Sequence, residues 1–138
     1  MNHVFEIETR GPGLYEFTTD LSAWLASLPP RDGVLTLLVR HTSASLLIQE
    51  NADPEVQGDL REFFHRLVPP SNDPSMRYLR HTYEGPDDMP AHIKAALLPV
   101  SLGIPVIGGR MALGTWQGVY LFEHRTRPHR REVAVHLA

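Results

Sequence analysis

The sequence predicts an α+β fold, a single domain with a largely antiparallel sheet and helices packed against it. Strand-like segments come first, one short helix interrupts them, two helices follow, and a run of strands ends the chain. Strands and helices grouped in separate runs are typical of this class. The length of 138 residues, with neither repeats nor a linker, predicts one domain over residues 1–138.

The first predicted elements are two strands, a helix and a third strand. Apolar and polar residues alternate over residues 5–10, and residues 14–19 continue this pattern after Gly11-Pro12-Gly13, which predicts a β-hairpin. Asp20 is the expected N-cap of a short helix that a proline pair ends. Residues 34–40 are nearly all apolar, so they predict a strand covered on both faces.

The second half of the chain predicts two helices followed by strands. After a strand over residues 44–49, Asp53 stands at the N-cap position and Pro54 at the first position of an amphipathic helix. Pro90 is expected to open a third helix, which runs over residues 91–98. The closing strands are predicted at residues 106–107, 111–113, 119–123 and 132–137.

The composition excludes several classes of protein. The absence of cysteine excludes disulfide scaffolds, thiol enzymes and thiolate zinc sites. A formal charge of -3 argues against nucleic acid as a partner, because such proteins usually carry a basic surface. No apolar run approaches the ~20 residues of a membrane helix, and the first ten residues lack a signal-peptide pattern. We therefore expect a cytoplasmic protein without a membrane partner.

Three of the eight histidines, His41, His81 and His92, lie where apolar segments meet polar turns. With Pro90 opening its helix, His92 falls in the first turn, where the helix dipole favours a neutral imidazole that can bind a metal. His81 comes eleven residues earlier, and the acidic residues between them, Glu84, Asp87 and Asp88, add carboxylates. Two imidazoles with a carboxylate or a third imidazole suit a divalent ion, although an acidic surface loop has similar spacing.

Two polar turns add further candidate residues. Asp53 is explained by capping, whereas Asn51 beside it is placed to orient a ligand or a metal-bound water. The segment from Gly114 to Gly118 contains Thr115, Trp116 and Gln117; it predicts either a bent strand that faces a pocket or a tight hairpin with its tryptophan in the core.

The basic segment over residues 124–131 contains Arg125 and Arg127. Such a segment is usually a solvated turn. Its guanidinium groups are also suited to binding phosphate or diphosphate oxygens.

Three segments, HTSASLLIQENADP, EGPDDMPAHIKAAL and LGTWQGVYLFEHR, resemble the YjbQ family, whose members are often described as secondary thiamine-phosphate synthases. The resemblance implies a single α+β domain, a homotrimer and a histidine-lined metal cleft. It also implies that hydroxymethylpyrimidine diphosphate is joined to thiazole phosphate with release of diphosphate. Together with the patterns above, the resemblance assigns three residues to a divalent metal, zinc or magnesium: His41, His81 and His92. It assigns Asn51, Asp53 and Glu84 to catalysis. The residues assigned to substrate or phosphate binding are Ser43, Lys94, Thr115, Gln117, Arg125 and Arg127.

The sequence therefore favours a metal-dependent enzyme that acts on a small phosphorylated substrate. Two alternatives remain at this point. One is a metal-assisted phosphohydrolase, and the other is a trimeric metal- or anion-binding protein without catalytic activity.

Overall fold

A computed structural model describes residues 1–138 as eight strands and three α-helices, with a short 3₁₀ turn at Pro74–Met76. The strands are β1 Asn2–Thr9, β2 Gly13–Glu16, β3 Gly33–Val39, β4 Ala44–Glu50, β5 Ser101–Ile107, β6 Arg110–Met111, β7 Gln117–Glu123 and β8 His129–Leu137. The helices are α1 Thr18–Ala26, α2 Pro54–Leu67 and α3 Asp88–Leu97. No helix combines the length and apolar character needed to cross a membrane.

The strands form two antiparallel sheets, which confirms the predicted α+β class. The larger sheet has the order β1-β8-β3-β5-β6 and the smaller has the order β2-β7-β4. One core of fifteen buried apolar residues joins the two sheets and α1, with Leu21, Leu35, Leu46 and Leu121 fully buried within it. Because both sheets pack on the same core, strand ends of one sheet lie close to strand ends of the other.

The predicted hairpin between the first two strands is wrong. β1 pairs with β8 in the larger sheet, whereas β2 pairs with β7 in the smaller sheet. Gly11 and Gly13 between them have φ values of 133° and 148°, which residues with a side chain rarely adopt. These glycines turn the chain out of one sheet and into the other.

The prediction that the third strand is covered on both faces is also wrong for this chain. Leu35, Leu37 and Val39 are buried in β3, while Val34 and Leu38 between them are exposed. Because strand side chains alternate between faces, the larger sheet has one core face and one open face.

The helices differ from their predictions mainly at their starts. α1 begins at Thr18, so Asp20 lies in its first turn and is not its N-cap. Asp53 does cap α2: its Oδ1 accepts the Glu55 N–H at 2.9 Å, and Pro54 is the first helical residue. α3 begins at Asp88, two residues before the predicted start, which makes His92 its fifth residue.

Candidate metal centre

Four side chains converge beside the start of α3. His81, Glu84, Asp88 and His92 each offer one ligand atom, and these atoms all lie within 4.8 Å of one another. Asp88 and His92 are four residues apart on α3, so they share one helix face. The other two belong to the turn that precedes the helix. The earlier helix start is therefore what aligns the Asp88 carboxylate with the His92 imidazole.

The two imidazole rings present their Nε2 atoms to the carboxylates. His81 Nε2 lies 3.0 Å from Glu84 Oε2 and 2.8 Å from Asp88 Oδ2. The Nε2 atom of His92 lies 3.3 Å from the same Asp88 oxygen. Asp88 is buried and Glu84 is exposed, so the cluster is anchored on its protein side and open on its solvent side.

A backbone contact fixes the tautomer of His92. Its Nδ1 lies 2.9 Å from the carbonyl oxygen of Thr42, which can only accept, so Nδ1 carries the proton and donates it. In the neutral ring, the Nε2 lone pair then faces the Asp88 carboxylate. Two acceptors that face each other require a cation between them, either a proton or a metal ion. This orientation is the one in which metal-binding histidines are usually held.

Arg125 holds the acidic side of the cluster in place. Its Nη1 donates to Asp88 Oδ1 at 2.7 Å, and its Nε donates to Asp87 Oδ2 at 2.9 Å. Burial alone would raise the pKa of Asp87, but hydrogen bonds from the Thr126 N–H and from Arg125 lower it to about 2. The pKa of Asp88 is lowered as well, because hydrogen bonds and nearby positive charges outweigh its burial. Both carboxylates are therefore ionised at neutral pH.

The same contacts engage Arg125 within the protein. All three of its guanidinium nitrogens donate to protein oxygens, because Nη2 also reaches the Glu84 carbonyl at 3.2 Å. The arginine therefore supports the four-residue cluster, and its role as a phosphate ligand stays a prediction. Arg127 has no side-chain hydrogen bond or ion pair; only its carbonyl oxygen is used, as the acceptor from His129 Nδ1.

A buried ion pair fixes the backbone that carries Arg125. Arg131 donates from Nε to Glu123 Oε1 at 2.8 Å, and Glu123 Oε2 accepts the backbone N–H groups of His124 and Arg125. Ser43 is buried against this pair and its Oγ accepts from Arg131 Nη2 at 2.9 Å. The serine hydroxyl thus has a structural partner in place of the phosphate predicted for it.

The structure does not bring His41 into the cluster. Its Nε2 accepts the Glu132 backbone N–H at 2.8 Å, so that lone pair is already used. Burial lowers the pKa of His41, and the Arg131 charge lowers it further. The predicted set of three imidazoles is therefore replaced by two imidazoles and two carboxylates.

Four other predicted residues lie at the opposite end of the smaller sheet. In the register of β4 and β7, Ala44 pairs with Glu123 near the cluster and Glu50 pairs with Gln117 at the far end. Six residues of strand separate the two ends by about 20 Å. The far end carries Asn51, Asp53, Thr115 and Gln117.

At this far end the side-chain contacts of Asn51 and Gln117 are exposed. Asn51 Nδ2 donates to Glu16 Oε2 at 3.3 Å, and Gln117 Oε1 accepts the Gly114 N–H at 2.8 Å. Trp116 is 63% exposed, so the alternative of a core tryptophan is wrong. The catalytic and substrate-binding roles of these residues stay predictions.

Sequence reasoning assigned no specific role to Asp88 or to His124. Asp88 is one of the acidic residues between His81 and His92, and its position one helical turn before His92 could have singled it out as a ligand. His124 is buried, and its Nε2 lies 2.8 Å from Ser45 Oγ. His124 follows β7, which pairs with β2 and β4, and this pairing of distant strands cannot be predicted from the residues around His124.

Lys94, a predicted substrate ligand, lines a cleft of about 540 Å³ together with His124.

Sequence relatives share nearly the whole length of this chain. The UPF0047 protein sll1880 of Synechocystis is 52% identical over 135 residues, which cover 98% of this chain and 89% of the relative. The UPF0047 protein YjbQ of Salmonella typhimurium is 45% identical over 122 residues, covering 88% of this chain and 85% of the relative.

Solved structures show the same fold. The crystal structure of the conserved hypothetical protein TT1486 from Thermus thermophilus has a TM-score of 0.83 at 33% identity, covering 99% of each chain. That of the hypothetical protein APE1520 from Aeropyrum pernix has a TM-score of 0.85 at 27% identity, covering 100% of this chain and 98% of the other. The family model described as UPF0047 protein YjbQ-like matches residues 3–138, and the chain therefore belongs to this family.

Proposed function

We propose that the protein is an enzyme that binds a divalent metal in the His81, Glu84, Asp88 and His92 cluster and acts on phosphorylated heterocycles. The reaction we favour joins hydroxymethylpyrimidine diphosphate to thiazole phosphate and releases diphosphate. The observation that carries the proposal is the fixed tautomer of His92, whose Nε2 lone pair points at a buried carboxylate. A metal ion at this position satisfies both acceptors.

The donor set favours zinc over magnesium. Two imidazole nitrogens and two carboxylate oxygens fit a four-coordinate zinc site, whereas magnesium prefers oxygen ligands and retains several waters. Asp88 is held from behind by Arg125, and His92 is held by the Thr42 carbonyl. Supporting contacts of this kind orient metal ligands and raise their affinity.

A bound divalent ion would neutralise diphosphate oxygens as the leaving group departs. Arg125 donates to Asp88 Oδ1, which leaves Oδ2 oriented toward the two imidazoles. Glu84 has 54% of its side chain exposed, so its carboxylate can move between the cluster and a substrate proton. Lys94 on α3 lies near Asp87, the residue that precedes the helix, and lines a cleft on the other face of α3.

The proposal is tested by replacing both imidazoles. The double variant His81→Ala/His92→Ala is compared with His3→Ala, which removes an exposed histidine on β1. Bound zinc is measured by elemental analysis after dialysis, and thiamine-phosphate formation is measured from the two substrates. We expect the double variant to lose both and the control to retain both. Unchanged zinc and product in the double variant would end the proposal.

A metal-assisted phosphohydrolase is the second candidate, and the exposure of Glu84 favours it because a mobile ligand leaves room for a nucleophilic water. A panel of phosphate esters, assayed for phosphate release with and without zinc, separates hydrolysis from condensation. Tight zinc binding with no turnover of any substrate would instead favour a non-catalytic metal-binding protein.

We also propose that the protein assembles as a homotrimer. The open face of the larger sheet exposes Val4, Val34, Leu38 and Ile107, which the register places on one side. Exposed apolar side chains that share one face of a sheet are typical of a contact between protein chains. Native mass spectrometry should give the mass of three chains, and a monomer at micromolar concentration would contradict the assembly.

A further inference from the structure

A second site lies in the cleft between α2, α3 and the end of β7. Its volume is about 540 Å³, within the range of pockets that hold small molecules. Phe64 and Phe122 form an aromatic wall, with ring centroids 5.8 Å apart. Lys94, Arg61 and His124 also line the cleft.

Two cationic side chains in the lining of the cleft have no ion-pair partner. Each carboxylate in the lining has a cationic partner: Glu62 pairs with Arg66, Asp87 with Arg125 and Glu123 with Arg131. Lys94 and Arg61 form no ion pair, although both line the same cavity. Lys94 and Arg61 are therefore the two cationic side chains of the lining that a bound anion could pair with.

His124 adds a buried polar atom without a partner. Its Nε2 is hydrogen-bonded to Ser45 Oγ, whereas its Nδ1 is the one buried side-chain nitrogen or oxygen that makes no hydrogen bond. Burial lowers the pKa of His124 to about 3, and the nearby Lys94 charge acts in the same direction, so the ring is neutral at pH 7. When the Ser45 hydroxyl donates to Nε2, Nδ1 carries the proton. A buried N–H without an acceptor is costly, and an oxyanion would satisfy it.

The cleft and the metal cluster use different faces of α3. Asp88 and His92 belong to the cluster, whereas Pro90 and Lys94 line the cleft. At about 100° per residue, a two-residue offset turns the side chain to the opposite side of the helix. Arg125 connects the two sites, because it binds Asp87 in the cleft lining and Asp88 in the cluster.

We propose that this cleft binds the phosphate group of a small molecule with an aromatic ring. Lys94 and Arg61 neutralise the phosphate, His124 Nδ1 donates to one of its oxygens, and the ring packs against Phe64 and Phe122. The site is separate from the metal cluster, and anion binding there does not require a metal ion.

Lys94 is the only lysine in the chain, which gives a site-specific probe. Protein labelled with ¹³C- and ¹⁵N-lysine and freed of metal by chelation and dialysis should show a single lysine side-chain resonance. We expect phenyl phosphate to shift this resonance to saturation, inorganic phosphate to bind more weakly, and phenol not to bind. Equal affinity for phenyl phosphate and inorganic phosphate would overturn the aromatic part of the proposal.

Calorimetry on charge variants completes the test. Lys94→Met and Arg61→Met should each weaken phenyl phosphate binding by about tenfold or more, because each removes a charged partner of the anion. Arg110→Met, which removes an exposed arginine on β6 outside the cleft, should bind as the unmodified protein does.

Three results would overturn the anion site: no shift of the lysine resonance, an equal loss in all three variants, or binding only after zinc is added. The last result would place the anion at the metal cluster. Zinc binding is measured separately on the His81 and His92 variants. Failure of the anion site and failure of the metal proposal are therefore distinguishable.

Discussion

The two ends of the smaller sheet are built in different ways. At the end near Glu123, buried charges are paired with each other and connect through Arg125 to the cluster of His81, Glu84, Asp88 and His92. At the end near Gln117, polar side chains make exposed contacts, such as Asn51 with Glu16 of β2. One end therefore holds its side chains by buried ion pairs, whereas the other holds them by exposed hydrogen bonds.

This difference shows which polar residues are suited to a preorganised site. A ligand atom must be held by contacts that are independent of the ligand, and Asp88 and His92 have such contacts in Arg125 and the Thr42 carbonyl. The Asp53 carboxylate instead accepts the Glu55 N–H and stabilises the N-terminus of α2. Both ends carry acidic residues, but only one brings imidazoles and carboxylates together.

The largest expected effect is on stability at the end near Glu123. Glu123→Ala leaves Arg131 buried without its partner, which should lower the free energy of unfolding by about 3–5 kcal/mol. Asn51→Ala removes an exposed hydrogen bond at the other end and should cost about 1 kcal/mol or less. Urea denaturation measures both. Similar losses for the two variants would remove the distinction between the two ends.

The next effect concerns metal affinity. Arg125→Met removes the contacts that orient Asp88 and should weaken zinc binding by about 10–100-fold. Calorimetric titration with zinc measures the change, with Arg127→Met as the neighbouring control. An Arg125 variant that binds zinc normally would show that the cluster does not depend on its supporting contacts.

The buried His124 should make stability depend on pH. Its folded pKa is about 3, while the unfolded value is near 6.5, so the unfolded chain binds more protons between these values. Stability is then fully present above pH 6.5 and falls as the pH drops toward 3, by up to about 1.4 kcal/mol per pH unit. His124→Gln should reduce this slope between pH 6 and pH 5 in urea denaturation experiments. An unchanged slope would show that His124 is not buried as a neutral ring.

The smallest effect is expected at the cap of α2. Asp53→Ala should lower the free energy of unfolding by about 1 kcal/mol, because the Glu55 N–H loses its acceptor. Zinc affinity should stay the same, since the cap lies at the other end of the smaller sheet. A large loss of zinc binding in this variant would place Asp53 in the metal site.

Local sequence patterns predicted the helices and strands of this fold better than they predicted which strands pair with each other. The cap and proline at Asp53 and Pro54 identified α2, because these signals act within one turn. The hairpin prediction failed because strand pairing is decided by contacts between distant residues, here β1 with β8. Adjacent strand patterns joined by glycines cannot distinguish a hairpin from a crossing between two sheets.

The site was predicted only in part for the same reason. His81, Glu84 and His92 are close in sequence, so their acidic turn indicated a shared cluster. Asp88 lies in the same acidic turn but was not assigned as a ligand, because a helix that begins at Pro90 would not place it one helical turn from His92. His41 was predicted as a third metal ligand, but it lies outside the cluster. Its Nε2 accepts a hydrogen bond from Glu132 of β8, a contact between distant parts of the chain that local patterns do not predict.

The most direct test of the metal site is an anomalous difference map from zinc-soaked crystals, measured at the zinc absorption edge. We predict one strong peak per chain within bonding distance of the Nε2 atoms of His81 and His92 and of the Asp88 carboxylate. A map with no peak at these atoms, or with its strongest peak at His41, would contradict the proposed metal centre.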